Sequence, residues 1–84
     1  MARIEDCTLG ARVKLIDGWG GPASVVGRRI GNCVEGAFAA VPRESATERD
    51  FPDAVLMRFE APVEDGAHHK ILAVTCPPDE VTLI

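Results

Sequence analysis

Residues 10–28 set the strongest constraint on what this chain can fold into. Gly10-Ala11-Arg12-Val13-Lys14-Leu15-Ile16 is an alternating run that breaks at Asp17-Gly18-Trp19-Gly20-Gly21-Pro22. It resumes as Ala23-Ser24-Val25-Val26-Gly27-Arg28. A strand, a glycine-rich turn and a second strand fit that order. The first third of the chain therefore points to a small β-barrel, and it specifies no reaction.

The rest of the sequence continues in the same style. A strand over about 11–16 places Val13 and Leu15 on one face, with Arg12 and Lys14 on the other. A second over about 23–30 splits Val25 from Val26 and ends at Arg28-Arg29-Ile30. Gly31-Asn32 reads as a turn, because both residues tolerate positive φ. A third strand is expected over about 34–41, where Pro42 ends it by removing a ladder donor. Residues 42–53 are the most polar stretch and read as a long loop. A fourth strand over about 54–60 sets Val55, Met57 and Phe59 against Leu56, Arg58 and Glu60. A loop over 61–68, a fifth strand over about 69–75, a tight Cys76–Glu80 connection with one 3₁₀ turn, and a short strand at 81–84 complete the chain. No stretch holds a helical period over three turns. Six short strands with near-regular turns predict an all-β barrel or sandwich.

Size and charge narrow the function classes. Eighty-four residues make one domain, and such a chain buries only about 60–65% of its unfolded surface. Its stability is therefore modest or helped by self-association. A 46% hydrophobic composition argues against disorder. No apolar run approaches the roughly 20 residues of a membrane span, and the charged start Met1-Ala2-Arg3-Ile4-Glu5-Asp6 lacks an apolar signal core, so a cytoplasmic location is expected. The net charge of −4 is uneven: residues 1–34 carry five bases against three acids, and residues 35–84 four against ten. Nucleic-acid binding draws on phosphate neutralisation, so an acidic chain is disfavoured unless its first hairpin gathers its bases on one face.

The residues with chemistry point mostly away from catalysis. Cys7, Cys33 and Cys76 are odd in number and widely spaced, which reads as reduced thiols; one disulfide plus a free thiol is the alternative. They are expected to be buried or half-buried structural residues. His68 and His69 would point to opposite faces of a strand, and no Cys-x-x-Cys pair accompanies them, so no metal site is expected. No spacing brings a base to a thiol, and no cofactor is implied. The carboxylate pairs Glu64-Asp65 and Asp79-Glu80 read as solvated loop residues.

The candidate binding residues are Trp19, Arg12, Lys14, Arg28, Arg29 and Phe51. Trp19, flanked by glycines at the hairpin tip, either protrudes as a partner anchor or folds over to cap the barrel mouth. Phe51, beside Pro52 in a polar stretch, poses the same choice as a plug for the open end. Arg28 and Arg29 fall on opposite faces of one strand, one of them inward unless Gly27 marks a bulge. Arg12, Lys14 and Arg28 would form a small basic patch if they share a face. Ile16, Val26, Val41 and Leu56 point outward and are hard to bury together, which favours self-association or a protein partner.

Leu9-Gly10-x-Arg12-Val13-x-Leu15, the glycine turn at 18–21, Val25-Val26-Gly27 and the ending from Ala73 to Ile84 resemble a small SH3-like barrel of the KOW or Tudor-like type. The resemblance covers most of the chain apart from 42–53, and it implies binding of proteins or nucleic acids, or oligomer assembly, rather than one function. The chain is also similar in size and grammar to the plasmid-borne type II dihydrofolate reductases, which are homotetramers around a central pore. Their Val-Gln-Ile-Tyr strand is missing, and the chain has no Tyr. The Gly20–Val26 stretch resembles a short bacterial family with Gly-Gly-Pro after its first strand. The small size, the unusual loop and the short family match suit a bacterial, phage or mobile-element accessory protein, such as an integron-cassette product. The sequence thus leads us to expect a non-enzymatic interaction module, a homo-oligomer or the binder of a protein partner. A KOW-like nucleic-acid binder and a small pore enzyme are the alternatives.

Overall fold

The computed structural model describes residues 2–40, 53–64, 66 and 69–84. Among the described residues six strands form one antiparallel sheet: β1 (Arg12–Leu15), β2 (Ala23–Ile30), β3 (Cys33–Gly36), β4 (Asp53–Glu64), β5 (Lys70–Cys76) and β6 (Val81–Leu83). Their order is β5-β4-β2-β1-β6, with β3 also paired to β2. The described strands at the two ends of this order, β5 and β6, do not pair with each other, so the sheet is not closed. Short 3₁₀ turns accompany it at η1 (Ile4–Asp6), η2 (Ala37–Ala40) and η3 (Pro78–Glu80). No helix among the described residues is long and apolar enough to cross a membrane.

The alternation seen in the sequence produces the core. Val13, Ala23, Val25, Val55, Met57, Phe59 and Val81 point to one side and are buried, and Ala2, Ile4, Cys7 and Cys76 complete the cluster. The intervening residues Arg12, Lys14, Arg58 and Glu60 are exposed, as period-2 geometry requires. The first strand closes against the last, with Leu15 opposite Val81 and Val13 opposite Leu83. Because β6 follows η3, this pairing also brings the β1–β2 turn beside η3.

Two segments depart from the sequence reading. The third strand does not run to 41. It ends at Gly36, whose φ of +61° turns the chain into η2. Phe38 is thereby laid over β2 and becomes buried. The fourth strand does not stop near 60. It continues to Glu64, and the expected loop begins later, because a break in register between Arg58 and Val63 lets β4 stay paired to β5. The polar loop expected at 42–53, which contains Phe51, and Val41 before it lie outside the described residues except for Asp53, which opens β4. His68 also lies outside them.

The N-terminal segment is part of the core. The Ala2 amide donates to the Val81 carbonyl at 2.7 Å, and Ile4 and Cys7 are buried beneath the sheet. Arg28 fastens it, donating from Nη1 to the Ile4 carbonyl at 3.0 Å.

Candidate interaction surface

The basic residues do not form an open cationic patch. Arg12 projects across β2 and donates from Nε to Glu60 Oε1 at 2.7 Å. That hydrogen bond raises the Arg12 pKa and holds the Glu60 carboxyl below its ordinary value. Arg28 donates from Nε to Glu35 Oε2 at 2.7 Å while also holding Ile4. Its side chain is only 15% exposed. Lys14 stays exposed on the outer face, opposite Thr82 in register. Two of the three candidate patch residues are therefore neutralised by adjacent carboxylates.

Arg29 has the most distinctive environment of the four bases. The β2–β4 register shifts between Val25 and Gly27, as the glycine suggested, yet Arg29 is still buried, with 5% of its surface exposed. Its guanidinium carbon sits 5.3 Å from the centre of the Phe38 ring, a cation–π arrangement. The bulge sends the last half of β2 under η2, and Arg29 belongs to that packing rather than to an accessible binding surface.

Trp19 is packed on one side and exposed on the other. Its ring meets Phe59 edge-on, with centroids 5.6 Å apart and planes 77° apart, and so covers part of the core's rim. It nonetheless remains 43% exposed. Gly20 makes this geometry possible, because it adopts φ +82° and a Cβ there would overlap the Phe59 ring. Asp17 Oδ1 accepts the Trp19 amide at 2.9 Å, which fixes the turn between them.

Beside this turn lies a cleft of about 370 Å³ lined by Leu15, Ile16, Asp17, Asp79 and Glu80. The Ile16 amide donates to the Glu80 carbonyl at 3.0 Å and locks the turn against η3. Ile16 is 55% exposed despite its apolar side chain. The cleft thus sets Ile16 among three carboxylates, while Trp19, on the same turn, touches Asp17 and Phe59 and is not part of the lining. Leu15, Asp17, Asp79 and Glu80 were not among the sequence candidates. The signal was two acidic turns, Asp17-Gly18 and Pro78-Asp79-Glu80, and only the β1–β6 pairing shows that they are neighbours.

The three thiols divide differently from expectation. Cys7 and Cys76 are buried, but Cys33 is exposed, because it follows the β2–β3 turn on the outside of the sheet. Burial pushes the Cys76 thiol up to about 12, helped by Glu80, Cys7 and Asp79. Burial also raises Cys7, with Asp6 adding to it and Arg28 opposing. Such thiols are poor nucleophiles. Among the described residues no group of three or more His, Cys, Asp or Glu side chains is placed to hold a metal. Comparison with protein-family models, with curated proteins and with solved structures finds no match.

Proposed function

We propose that the chain is a non-catalytic SH3-like barrel that binds a protein partner through the surface formed by the β1–β2 turn and η3. The observation carrying this reading is the pair Ile16 and Trp19, 55% and 43% exposed on a turn that is anchored at both sides. A rigid turn presenting a large amphipathic ring loses little entropy on binding. The strand order supports the SH3-like assignment: the last strand returns after a 3₁₀ turn to pair with the first. The nucleic-acid reading loses support because Arg12 and Arg28 are matched by Glu60 and Glu35.

The test is selection of random displayed peptides on the immobilised chain, set against an Ile16→Ser/Trp19→Ala variant of equal melting behaviour. Peptides enriched by the native surface and released by the variant support the reading. Equal enrichment on both, or none above a blank support, sinks it.

A second reading, self-association, is favoured by the outer edge of β5. Among the described residues that edge has no backbone partner, and Ile71-Leu72-Ala73-Val74-Thr75-Cys76 carries no charge. Leu72 is 50% exposed on it. Uncharged open edges pair readily with other strands. Light scattering across a dilution series tests this. A dimer that Leu72→Lys converts to monomer supports it, and a monomer of 9.0 kDa at every concentration rejects it.

A further inference from the structure

We infer that the cleft between the β1–β2 turn and η3 takes a cationic apolar segment of a partner protein, an Arg- or Lys-bearing peptide with an aliphatic neighbour. The inference rests on the interaction-module reading above and assigns the partner's chemistry.

Three of the five residues lining the cleft are carboxylates, Asp17, Asp79 and Glu80, and none is a base. The bases on the segments nearest the cleft are Arg3, Arg12, Lys14 and Arg28, and none of them is paired with its carboxylates. Arg12 is paired with Glu60 and Arg28 with Glu35. Lys14, next in sequence to Leu15, lies on the opposite face of β1. Asp79 and Glu80 make no side-chain hydrogen bond or ion pair among the described residues, and Asp17 uses one oxygen on Trp19. The negative potential of the cleft is therefore available to an incoming cation.

The apolar part of the lining, Leu15 and Ile16, selects among cations. A metal ion gains nothing from aliphatic walls, and the three carboxylates do not gather as a ligand group. A phosphate backbone would be repelled. A long side chain that lays its methylenes on Ile16 and its charge against the carboxylates satisfies both halves of the site. The volume of about 370 Å³ is at the small end of the range for pockets, so it accommodates a few side chains of an extended segment.

The test uses the full chain and three end-capped synthetic peptides of alternating Leu/Arg, Leu/Gln and Leu/Glu. Binding is read from amide chemical shifts and from the fluorescence of Trp19, the single tryptophan. The Leu/Arg peptide is expected to shift the amides of residues 15–17 and 79–80, and to weaken with salt. Asp17→Asn/Asp79→Asn/Glu80→Gln should weaken it about tenfold, the loss of three exposed charge pairs. Asn retains an acceptor for the Trp19 amide, so the turn is kept. The inference is overturned if the Leu/Gln peptide binds the same amides equally well, an outcome that leaves the interaction-module reading intact. It is also overturned if no peptide moves these amides, and the displayed-peptide selection then decides the broader reading separately.

Discussion

Two consecutive carbonyls, Glu80 and Val81, hold two segments of the chain whose isoleucines have opposite fates. The Val81 carbonyl accepts from Ala2, and the segment it holds turns Ile4 inward to 6% exposure. The Glu80 carbonyl accepts from Ile16, which remains 55% exposed. Backbone anchoring is the same in both places. The difference lies in what surrounds the side chain: Ile4 lies over the core and is fastened by Arg28, whereas Ile16 sits among carboxylates at a turn. An apolar residue held rigidly at the surface contributes little to stability, which fits the binding surface proposed above rather than a core.

The comparison can be broken most directly at Ile4. Ile4→Ala should cost about 2–5 kcal/mol in denaturant unfolding, the usual loss for a buried isoleucine. A loss below about 0.5 kcal/mol would mean that the N-terminal segment is not part of the cooperative core.

Alkaline pH tests the same buried seam. The Cys76 thiol has a folded-state value of about 12 against an ordinary value of 9.0, and Cys7 is raised as well. A raised value means that the folded state retains the proton while the unfolded state loses it. The stability contribution is thus complete below pH 9.0 and disappears as pH rises toward about 12, amounting to at most about 4 kcal/mol for Cys76. Melting curves over this window should show a steep fall that Cys76→Val reduces. Equal falls in both proteins would indicate that the thiol is already hydrated in the folded state.

Arg28 joins the N-terminal segment to the sheet, so Arg28→Met should cost about 1–3 kcal/mol through the unpaired Ile4 carbonyl and the lost Glu35 contact. Amide exchange should rise at residues 2–7 and remain unchanged at 16–20. Exchange rising equally in both segments would erase the distinction between them.

The smallest effect is expected at the other isoleucine. Ile16→Ser should change stability by no more than about 0.5 kcal/mol, yet abolish capture of the selected peptides. A large loss of stability would move Ile16 from the proposed binding surface to the core.

Much of the sheet was legible in the sequence. Residues 23–30 form β2 as read, and Val55, Met57 and Phe59 are buried while Arg58 and Glu60 are exposed. The Pro-Asp-Glu turn is 3₁₀, as its residues suggested. The end of β3 was not legible, because alternation persists through Ala37-Phe38-Ala39-Ala40 and only the positive φ of Gly36 redirects it. The candidate surface was half legible. Trp19 stood out by its glycine neighbours, whereas Asp79 and Glu80 looked like ordinary solvated acids.

By itself the sequence determined the period-2 pattern, the turns and therefore an all-β chain, because these follow from local geometry and side-chain alternation. Tertiary structure alone decided which strands are neighbours. Pairing β1 with β6 places Asp79 and Glu80 beside Asp17, across more than sixty residues of chain. It also decided that Arg12 meets Glu60, that Arg28 meets Glu35, and that Arg29 lies under Phe38. Register is set by the sum of core contacts across strands rather than by any one segment, so the charge pattern of the surface appears only once the sheet is assembled.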